Sequence, residues 1–248
     1  MLILLPPSES KSNRRRGRPV DPASWSFPEL WATRERVATN LAELSRGPSA
    51  MAVLGVSESL LHEVARNLQL RSLPATPAAE VYTGVLYDAL DLHSMSTAAR
   101  RRANRWVVVV SALYGAVRLR DRITAYRLSM GVDLPGVGPL ATAWRPVLDG
   151  PLTAAAGAGV VVDCRSAAYA AAWRPGPEVA PRWVHVRVPG ASHMAKHTRG
   201  LVARHLCEAA VSARSVPALA DVVAGAFDVE LREPEQETAP WVLDVRAR

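Results

Sequence analysis

Only two residues of this 248-residue chain are lysines, Lys11 and Lys196, although Lys and Arg together number 30. The guanidinium of arginine stays protonated inside proteins, whereas the amine of lysine loses its proton when its surroundings lower its pKa. A site that needs an amine base or a Schiff-base nucleophile therefore requires lysine. We predict that both lysines serve such a site. The alternative is that they are remnants of a codon bias and have no role.

Other polar side chains that could do chemistry follow short apolar runs. Three such runs, residues 1–5, 106–111 and 159–162, are typical of buried strands. The candidates that follow them are Ser8, Glu9 and Lys11, then Tyr114 and Arg118, and then Asp163, Arg165, Ser166 and Tyr169. Ligands of open α/β sheets collect at the carboxyl ends of strands, so we predict that the three groups meet in one site. Because loops are polar in most proteins, ordinary loops are the alternative.

The elements that must position these residues can be predicted from hydrophobic periodicity. Predicted strands cover residues 1–5, 106–111, 159–164 and 183–188, and residues 227–245 are predicted to form two edge strands about an acidic turn. Predicted helices cover residues 30–44, 49–54, 57–68, 97–104, 140–152, 166–173 and 193–213, and Pro146 is expected to limit the fifth. This irregular alternation favours one mixed α/β domain over residues 1–248, with a central mixed sheet flanked by helices.

The composition is that of a globular chain, since 49% of the residues are hydrophobic, enough to bury a sizeable core. Membrane spans need about 18 or more consecutive apolar residues, and no such run is present. The N-terminus also lacks the basic leader of a signal peptide. Cys164 and Cys207 are the only cysteines, which suits a reducing cytoplasm. We expect Cys164 to be a buried, inert thiol.

The chain is basic, with a formal net charge of +7. Such a charge favours polyanionic partners or anionic substrates. Its arginines cluster in three runs, which are Arg14, Arg15, Arg16 and Arg18, then Arg100, Arg101, Arg102 and Arg105, and then Arg118, Arg120, Arg122 and Arg127. A solvated face explains such runs in many proteins. Convergence of the three runs on one cleft would instead indicate an anion-binding site.

Familiar metal and nucleotide motifs are missing from the sequence. It contains no P-loop, no G-x-G-x-x-G after a strand, no C-x-x-C pair and no G-x-S-x-G elbow. His193 and His197 have the spacing of two metal ligands on a helix, but neither a neighbouring Glu nor a third ligand accompanies them. We therefore predict neither a metal nor a cofactor.

Five motifs, in this order, resemble the YaaA family of peroxide stress proteins. They are Leu5-Pro6-Pro7-Ser8-Glu9-Ser10-Lys11, Val81-Tyr82-Thr83-Gly84, Ser111-Ala112-Leu113-Tyr114-Gly115, Tyr126-Arg127-Leu128-Ser129-Met130-Gly131 and Lys196-His197-Thr198-Arg199-Gly200-Leu201. Both lysines lie inside these motifs. The resemblance implies a mixed α/β fold, a basic cleft, and a role in limiting oxidative damage and free intracellular iron.

The resemblance also implies a helix-hairpin-helix element associated with DNA binding. In this chain the element corresponds to residues 49–68, with Leu54-Gly55-Val56 as the turn. Such hairpins hold phosphate through backbone N–H groups at a helix N-terminus. The nearest positive charges are Arg66 and Arg71, so an ordinary two-helix corner is the alternative.

Two functions of different class are compatible with the sequence. In the first, the chain is a cytoplasmic protein, linked to peroxide stress, whose basic cleft binds DNA or a nucleotide-like anion through phosphates. In the second, it is a lysine-dependent enzyme acting on an anionic, nucleotide-like small molecule, with one lysine of lowered pKa as base or nucleophile. Neither function requires a membrane or an obligate protein partner. The catalytic candidates are Lys11, Lys196, Glu9, Tyr114 and Asp163, and the anion-binding candidates are Ser8, Tyr82, Arg118, Arg127, Ser166, Tyr169 and Arg199.

Overall fold

The structure is a computed structural model that describes residues 1–14, 16–190, 192–211 and 213–248, without the side chains of Ser192 and His193. Arg15 of the first basic run lies outside the described residues, as does the side chain of His193 in the predicted His193–His197 pair. The strands of the described part are β1 (Leu2–Leu5), β2 (Thr76–Pro77), β3 (Val107–Ser111), β4 (Gly115–Arg118), β5 (Arg122–Ile123), β6 (Asp133–Leu134), β7 (Gly138–Pro139), β8 (Val161–Asp163), β9 (Trp183–Arg187), β10 (Phe227–Arg232) and β11 (Trp241–Ala247). Its α-helices are α1 (Trp31–Leu44), α2 (Ala50–Leu54), α3 (Leu61–Arg66), α4 (Ala78–Val81), α5 (Val85–Leu90), α6 (Thr97–Trp106), α7 (Leu140–Ala156), α8 (Ala167–Ala170), α9 (Ser192–Glu208) and α10 (Val216–Ala224).

Seven strands form the central sheet in the order β10-β11-β9-β8-β1-β3-β4. β1 lies between β3 and β8 and is parallel to both, so that Leu4 pairs with Val108 on one side and with Asp163 on the other. β9 and β11 extend the parallel set, while β4 and β10 pair antiparallel at the two edges. Every residue of β1 and β3 is buried, as expected for parallel strands that are covered on both faces.

The predicted fold class is confirmed, because the chain is a mixed α/β protein with a central mixed sheet flanked by helices. One cluster of buried apolar side chains includes residues from Leu2 to Val245. The strand order reverses beside β1, since β3 lies on one side of it and β8 on the other. Open α/β sheets form their ligand clefts at the carboxyl ends of strands where the order reverses. The segments that follow β1 and β8 therefore start at the expected position of a cleft.

Helix α7 is longer than the sequence predicts, because it runs to Ala156 with Pro146 and Pro151 inside it. A proline in a helix interior removes one backbone hydrogen bond and costs about 3 kcal/mol. Side chains spaced by four residues are buried along one face of α7, and their burial offsets this loss. They are Leu140, Trp144, Leu148 and Leu152.

The C-terminal strands also differ from the prediction of two edge strands. β10 is an edge strand, but β11 lies between β10 and β9. The sequence pattern predicts neither α10 nor β4. β4 begins at Gly115, whose φ is +71° and whose missing Cβ would collide with the ring of Trp144. Glycine is the residue that fits both the backbone angle and the close approach.

Gly200 allows α9 to lie against α5. A Cβ at this position would collide with the carbonyl oxygen of Leu86 and would lie 2.9 Å from the Cβ of Ala89. The backbones of the two helices therefore approach each other more closely than any larger residue permits. This contact holds the first turns of α9, with Lys196 and Arg199, near the end of β1.

The replacement Gly200→Ala is expected to lower the free energy of unfolding by about 1–3 kcal/mol, because the added methyl group overpacks the contact with α5. Chemical denaturation of both proteins measures this change. Gly150→Ala is the matched control, since no atom outside the adjacent backbone of α7 lies within 4 Å of the position that its Cβ would take. That control should gain about 0.5–1 kcal/mol from helix propensity. Equal effects of the two replacements would contradict the close-contact explanation.

Candidate functional site

A cavity of about 880 Å³ opens at the carboxyl end of β1. Its wall is built from six segments that are distant in sequence, which explains why no local motif describes it. These segments are Pro6–Lys11, Val53–Gly55, Thr83–Tyr87, Arg127–Asp133 without Met130, Ser166 with Tyr169, and Lys196 with Arg199.

Most of the candidate site residues lie on this wall. The eight that line the cavity are Ser8, Glu9, Lys11, Arg127, Ser166, Tyr169, Lys196 and Arg199. The four that do not line it are Tyr82, Tyr114, Arg118 and Asp163. The structure therefore brings the two lysines of the chain to one cavity, together with two arginines.

Lys11 has the most unusual environment of the lining residues. Its Nζ donates hydrogen bonds to the carbonyl oxygens of Ser8, at 2.6 Å, and of Glu9, at 3.3 Å. It also lies over the ring of Tyr126, 4.4 Å from the ring centroid. Burial and the neighbouring charge of Arg127 lower its pKa from 10.5 to about 7, against the opposing effect of Glu63 and Glu9. Near neutral pH, a large share of this amine is unprotonated.

The position of Lys11 is held by backbone contacts on both sides of it. Pro6 and Pro7, whose φ angles are restricted by their rings, precede the Ser8–Lys11 turn. Lys11 itself forms an isolated antiparallel bridge with Tyr82. Thr83 N–H donates to Ser8 Oγ at 3.0 Å. These contacts fix the loop before any ligand is bound.

Buried aromatic side chains form the floor beneath the Lys11 amine. The hydroxyl of Tyr126 lies 2.7 Å from Ser111 Oγ and 3.3 Å from the hydroxyl of Tyr82. Tyr87 stacks on Tyr82, with ring centroids 5.4 Å apart, and donates its hydroxyl to the carbonyl oxygen of Pro6 at 2.7 Å. Burial raises the pKa values of these three tyrosines well above 10. They therefore stay neutral and reduce the hydration of the Lys11 amine.

The other cations of the cavity are partly neutralised by carboxylates. Arg127 Nη1 lies 3.4 Å from Glu63 Oε2 of α3, and both side chains are about one fifth exposed, at 20% and 19%. Lys196 Nζ lies 3.8 Å from Glu9 Oε1, and both of these side chains are exposed. Arg199 uses its Nε to donate to the carbonyl oxygen of Val186 at 3.1 Å. An exposed pair such as Lys196–Glu9 contributes little stability, so an anionic ligand can displace its carboxylate.

Tyr169 is, with Tyr87, one of the two tyrosines of the cavity wall whose hydroxyl has a raised pKa. Burial raises its pKa to about 12, although hydrogen bonds with Met130 and Ser129 oppose the shift. It is thus a neutral hydrogen-bond donor or acceptor at physiological pH.

Asp163, a catalytic candidate, is buried in the core and not in the cavity wall. Its carboxylate accepts hydrogen bonds from Arg165 Nε at 2.8 Å and Nη2 at 2.7 Å, and from Trp183 Nε1 at 3.0 Å. Burial raises the pKa of Asp163, but the charge and hydrogen bonds of Arg165 outweigh burial, and the net pKa is lowered from 3.8. This arrangement ties β8 to β9 and leaves the carboxylate no access to a ligand in the cavity.

Tyr114 and Arg118 also lie outside the cavity wall. The buried hydroxyl of Tyr114 lies 3.0 Å from Thr124 Oγ1, which ties the turn between β3 and β4 to the segment after β5. Arg118 donates to the carbonyl oxygen of Arg105 at 2.5 Å. The hairpin of β3 and β4 turns these side chains away from the end of β1. The sequence pattern does not predict β4, so a prediction that places residues by the strand they follow misses this hairpin.

The basic runs do not converge on this cavity. Of their described members, Arg127 alone lines it. Arg102 donates to the carbonyl oxygen of Cys207 at the end of α9, at 2.6 Å, and Arg122 donates to the carbonyl oxygen of Ala75 at 2.5 Å. Several arginines of the runs thus hold backbone carbonyl groups of neighbouring segments.

The two short helices predicted around Gly55 are present as α2 and α3, and the turn between them borders the cavity. Gly55 has a φ of +63°, its N–H donates to Ala52, and the N–H of Val56 donates to Met51 at 3.1 Å. This is the Schellman arrangement that ends a helix.

Two groups at the site have no signal in hydrophobic periodicity or motif spacing. Glu63, the partner of Arg127, lies on α3, and nothing in its sequence position distinguishes it from the other charged residues of the chain. Tyr87 has the pattern of an apolar helix residue, although its hydroxyl binds the loop after β1. Tyr126 lies in one of the five motifs, so the motif could have identified it as a site residue.

Both cysteines are buried, and burial raises the pKa of each thiol from 9.0 to about 12. We therefore expect no labelling of Cys164 or Cys207 in the folded chain by a thiol reagent at neutral pH, because the reactive thiolate is almost absent. Mass spectrometry after alkylation, with a denatured sample as the control, measures this. Rapid stoichiometric labelling of Cys164 in the folded chain would contradict a structural role.

Metal-binding clusters and membrane spans are both missing from the described ranges. No group of three or more His, Cys, Asp or Glu side chains there is arranged to hold a metal ion. No helix among the described residues has the length and apolar character needed to cross a membrane.

Comparisons with known proteins agree with the resemblance carried by the five motifs. The family model described as "Peroxide stress protein YaaA" matches residues 1–231. A UPF0246 protein of Streptomyces coelicolor is 49% identical over 257 aligned positions, covering 99% of this chain and 98% of that protein. UPF0246 proteins of Corynebacterium efficiens and Corynebacterium glutamicum are 39% and 34% identical, each over 98% of this chain and 100% of the relative. The chain therefore belongs to the family of the peroxide stress protein YaaA.

Proposed function

We propose that the chain binds an anionic, nucleotide-like small molecule in the cavity at the end of β1, and that Lys11 acts on it as an unprotonated amine. The observation that carries this proposal is the environment of Lys11, whose amine borders the cavity with a pKa lowered to about 7. A base or nucleophile works best when its pKa lies near the working pH. Among the two lysines, Lys11 supplies the reactive amine, and Lys196 supplies positive charge.

The charge and shape of the wall support an anionic ligand with an apolar part. Besides Lys11, the cavity is lined by three cations and two carboxylates, namely Arg127, Lys196 and Arg199 against Glu9 and Asp133. Apolar contacts are available from Val53, Leu54, Val85, Leu86, Tyr87 and Leu128. A phosphate or carboxylate would interact with the cations, while a flat ring would lie on the apolar side chains. Membership of a peroxide-stress family supports the view that this chemistry serves oxidative protection.

Calorimetric titration with nucleoside mono-, di- and triphosphates and with inorganic phosphate tests the proposal. Arg199→Gln is expected to lower the affinity for the tightest-binding of these ligands about tenfold or more, because it removes a charge-assisted hydrogen bond. Arg36→Gln is the matched control, since Arg36 is exposed on α1 and does not line the cavity. Absence of binding for every anion at low salt would refute the proposal.

DNA binding is a second candidate, supported by the position of the α2–α3 turn. Val53, Leu54 and Gly55 border the same cavity as these three cations, so a backbone phosphate near the turn would lie within the basic region. Against it, the five residues of α2 carry no charge. Nucleic-acid binding through phosphates is independent of sequence and falls steeply with salt.

Gel-shift titrations of a duplex at two salt concentrations test this candidate. The double replacement Arg100→Ala and Arg101→Ala removes two exposed charges of α6, and it should lower both the affinity and the salt dependence if the second basic run holds phosphates. Absence of a retarded band at low salt would dispose of the DNA candidate.

A further inference from the structure

We propose that Lys11 forms an imine with an aldehyde or ketone that also carries a phosphate or carboxylate group, and that Lys196 and Arg199 hold this anionic group. This inference rests on the proposed function, and it narrows the ligand from any nucleotide-like anion to an anionic carbonyl compound.

The amine of Lys11 meets both conditions that activate lysine as a nucleophile, which are removal from water and a neighbouring cation. The ring of Tyr126 covers one side of Nζ, and the positive charge of Arg127 acts on it. The hydrogen-bond partners of Nζ are two backbone carbonyl oxygens, of Ser8 and Glu9. A neutral amine can donate its two hydrogens to these oxygens and keep its lone pair free.

Glu9 connects the amine to the cations that would hold the anion. Its backbone oxygen accepts from Lys11, and its carboxylate pairs with Lys196. The two lysine amines are therefore separated by at most the span of Glu9 from its backbone oxygen to its carboxylate, plus contacts of 3.3 Å and 3.8 Å at the two ends. A short molecule with a carbonyl at one end and a phosphate at the other would lie between them. Its phosphate would take the position of the exposed Glu9 carboxylate beside Lys196 and Arg199.

The reaction is a condensation without oxidation or reduction. The lone pair of Nζ forms a bond with the carbonyl carbon while the π electrons of the C=O group move to oxygen. The oxygen takes up a proton and the nitrogen gives one up, which yields a carbinolamine. The C–O bond then breaks, the nitrogen gives up its second proton, and one water molecule leaves for each imine formed.

Reductive trapping tests the inference on the full chain. Glyceraldehyde 3-phosphate and glyceraldehyde are the two probes. Cyanoborohydride reduces any imine to a stable secondary amine, and peptide mapping identifies the residue that carries this amine. The trapping rate with the phosphorylated probe is divided by the rate with glyceraldehyde, and the same ratio measured on Nα-acetyl-lysine is the chemical reference. For Lys11 we expect this ratio to be about tenfold higher than the reference, which corresponds to one charge-assisted contact.

Three variants separate the contributions of amine and charge. Lys11→Arg keeps the positive charge and should lose the adduct at this position. Arg199→Gln should lose the preference for the phosphorylated probe, and Arg36→Gln should keep it.

Three results would overturn the inference, and each differs from failure of the proposed function. Trapping on Lys196 or the N-terminal amine as fast as on Lys11 would refute the role of Lys11. A Lys11 adduct that forms with no preference for the phosphorylated probe would refute the binding of the anionic group by Lys196 and Arg199. If nucleotides bind in calorimetry but no Lys11 adduct forms, the imine fails and the proposed function stands. If Lys11 is trapped with the expected preference but no nucleotide binds, the nucleotide-like ligand fails and the imine stands.

Discussion

At pH 7, an acylating reagent is expected to modify Lys11 at least about a hundredfold faster than an ordinary exposed lysine. Burial and Arg127 lower the pKa of Lys11 to about 7. About half of the amine is then neutral at pH 7, against about one part in 2,500 for a lysine with a pKa of about 10.4. The variant Lys196→Arg leaves Lys11 as the only lysine of the chain, so peptide mapping reports its rate without overlap.

The pH dependence of this reaction is a stricter measurement of the same property. The rate at Lys11 should rise between about pH 6 and about pH 8 and then level off, whereas that of Nα-acetyl-lysine in the same tube should keep rising to about pH 10. In denaturant the two rates should converge, because burial and the charge of Arg127 are lost together. Equal rates in the folded chain would contradict the lowered pKa.

The lowered pKa of Lys11 also predicts the sign of a stability change. The folded chain releases the Lys11 proton near pH 7, and the unfolded chain releases it near 10.5. Between these values the unfolded state binds more protons, so the contribution of Lys11 to stability rises with pH. The free energy of unfolding of the parent chain should therefore increase relative to that of Lys11→Gln between about pH 7 and about pH 9.5.

Asp163→Asn is expected to cause the largest loss of stability, about 3–5 kcal/mol, because it leaves a buried guanidinium without its counter-charge. Both side chains of the Asp163–Arg165 pair are 0% exposed. Urea denaturation measures the loss. The same replacement at Asp228, in an exposed pair with Arg248, is the matched control and should cost at most about 1 kcal/mol. Similar losses at the two positions would contradict the structural role of Asp163.

These predictions separate residues that the sequence groups together. Asp163 is the last residue of β8, and Lys11 belongs to the loop that follows the adjacent strand β1. Replacement of Lys11 should alter reactivity and leave the fold in place. Replacement of Asp163 should destabilise the fold without removing any group that lines the cavity.

The fold class and the location of the candidate site follow from local patterns in the sequence. Continuous apolar runs at residues 1–5 and 106–111 predict inner strands because both faces of such strands are buried. The scarcity of lysine identifies Lys11 and Lys196, and five ordered motifs identify the family. Since ligand sites of α/β sheets form at the carboxyl ends of strands, the segment after residue 5 is predicted as part of the site.

Tertiary structure decides which of the candidate residues meet. The hairpin at Gly115 directs Tyr114 into the core, and Arg165 holds Asp163 there. The lowered pKa of Lys11 depends on its burial over Tyr126 and on the charge of Arg127. These groups come from segments far apart in the chain. Desolvation and Coulomb interactions act through space, so the sequence alone could identify the Lys11 amine but not its protonation state.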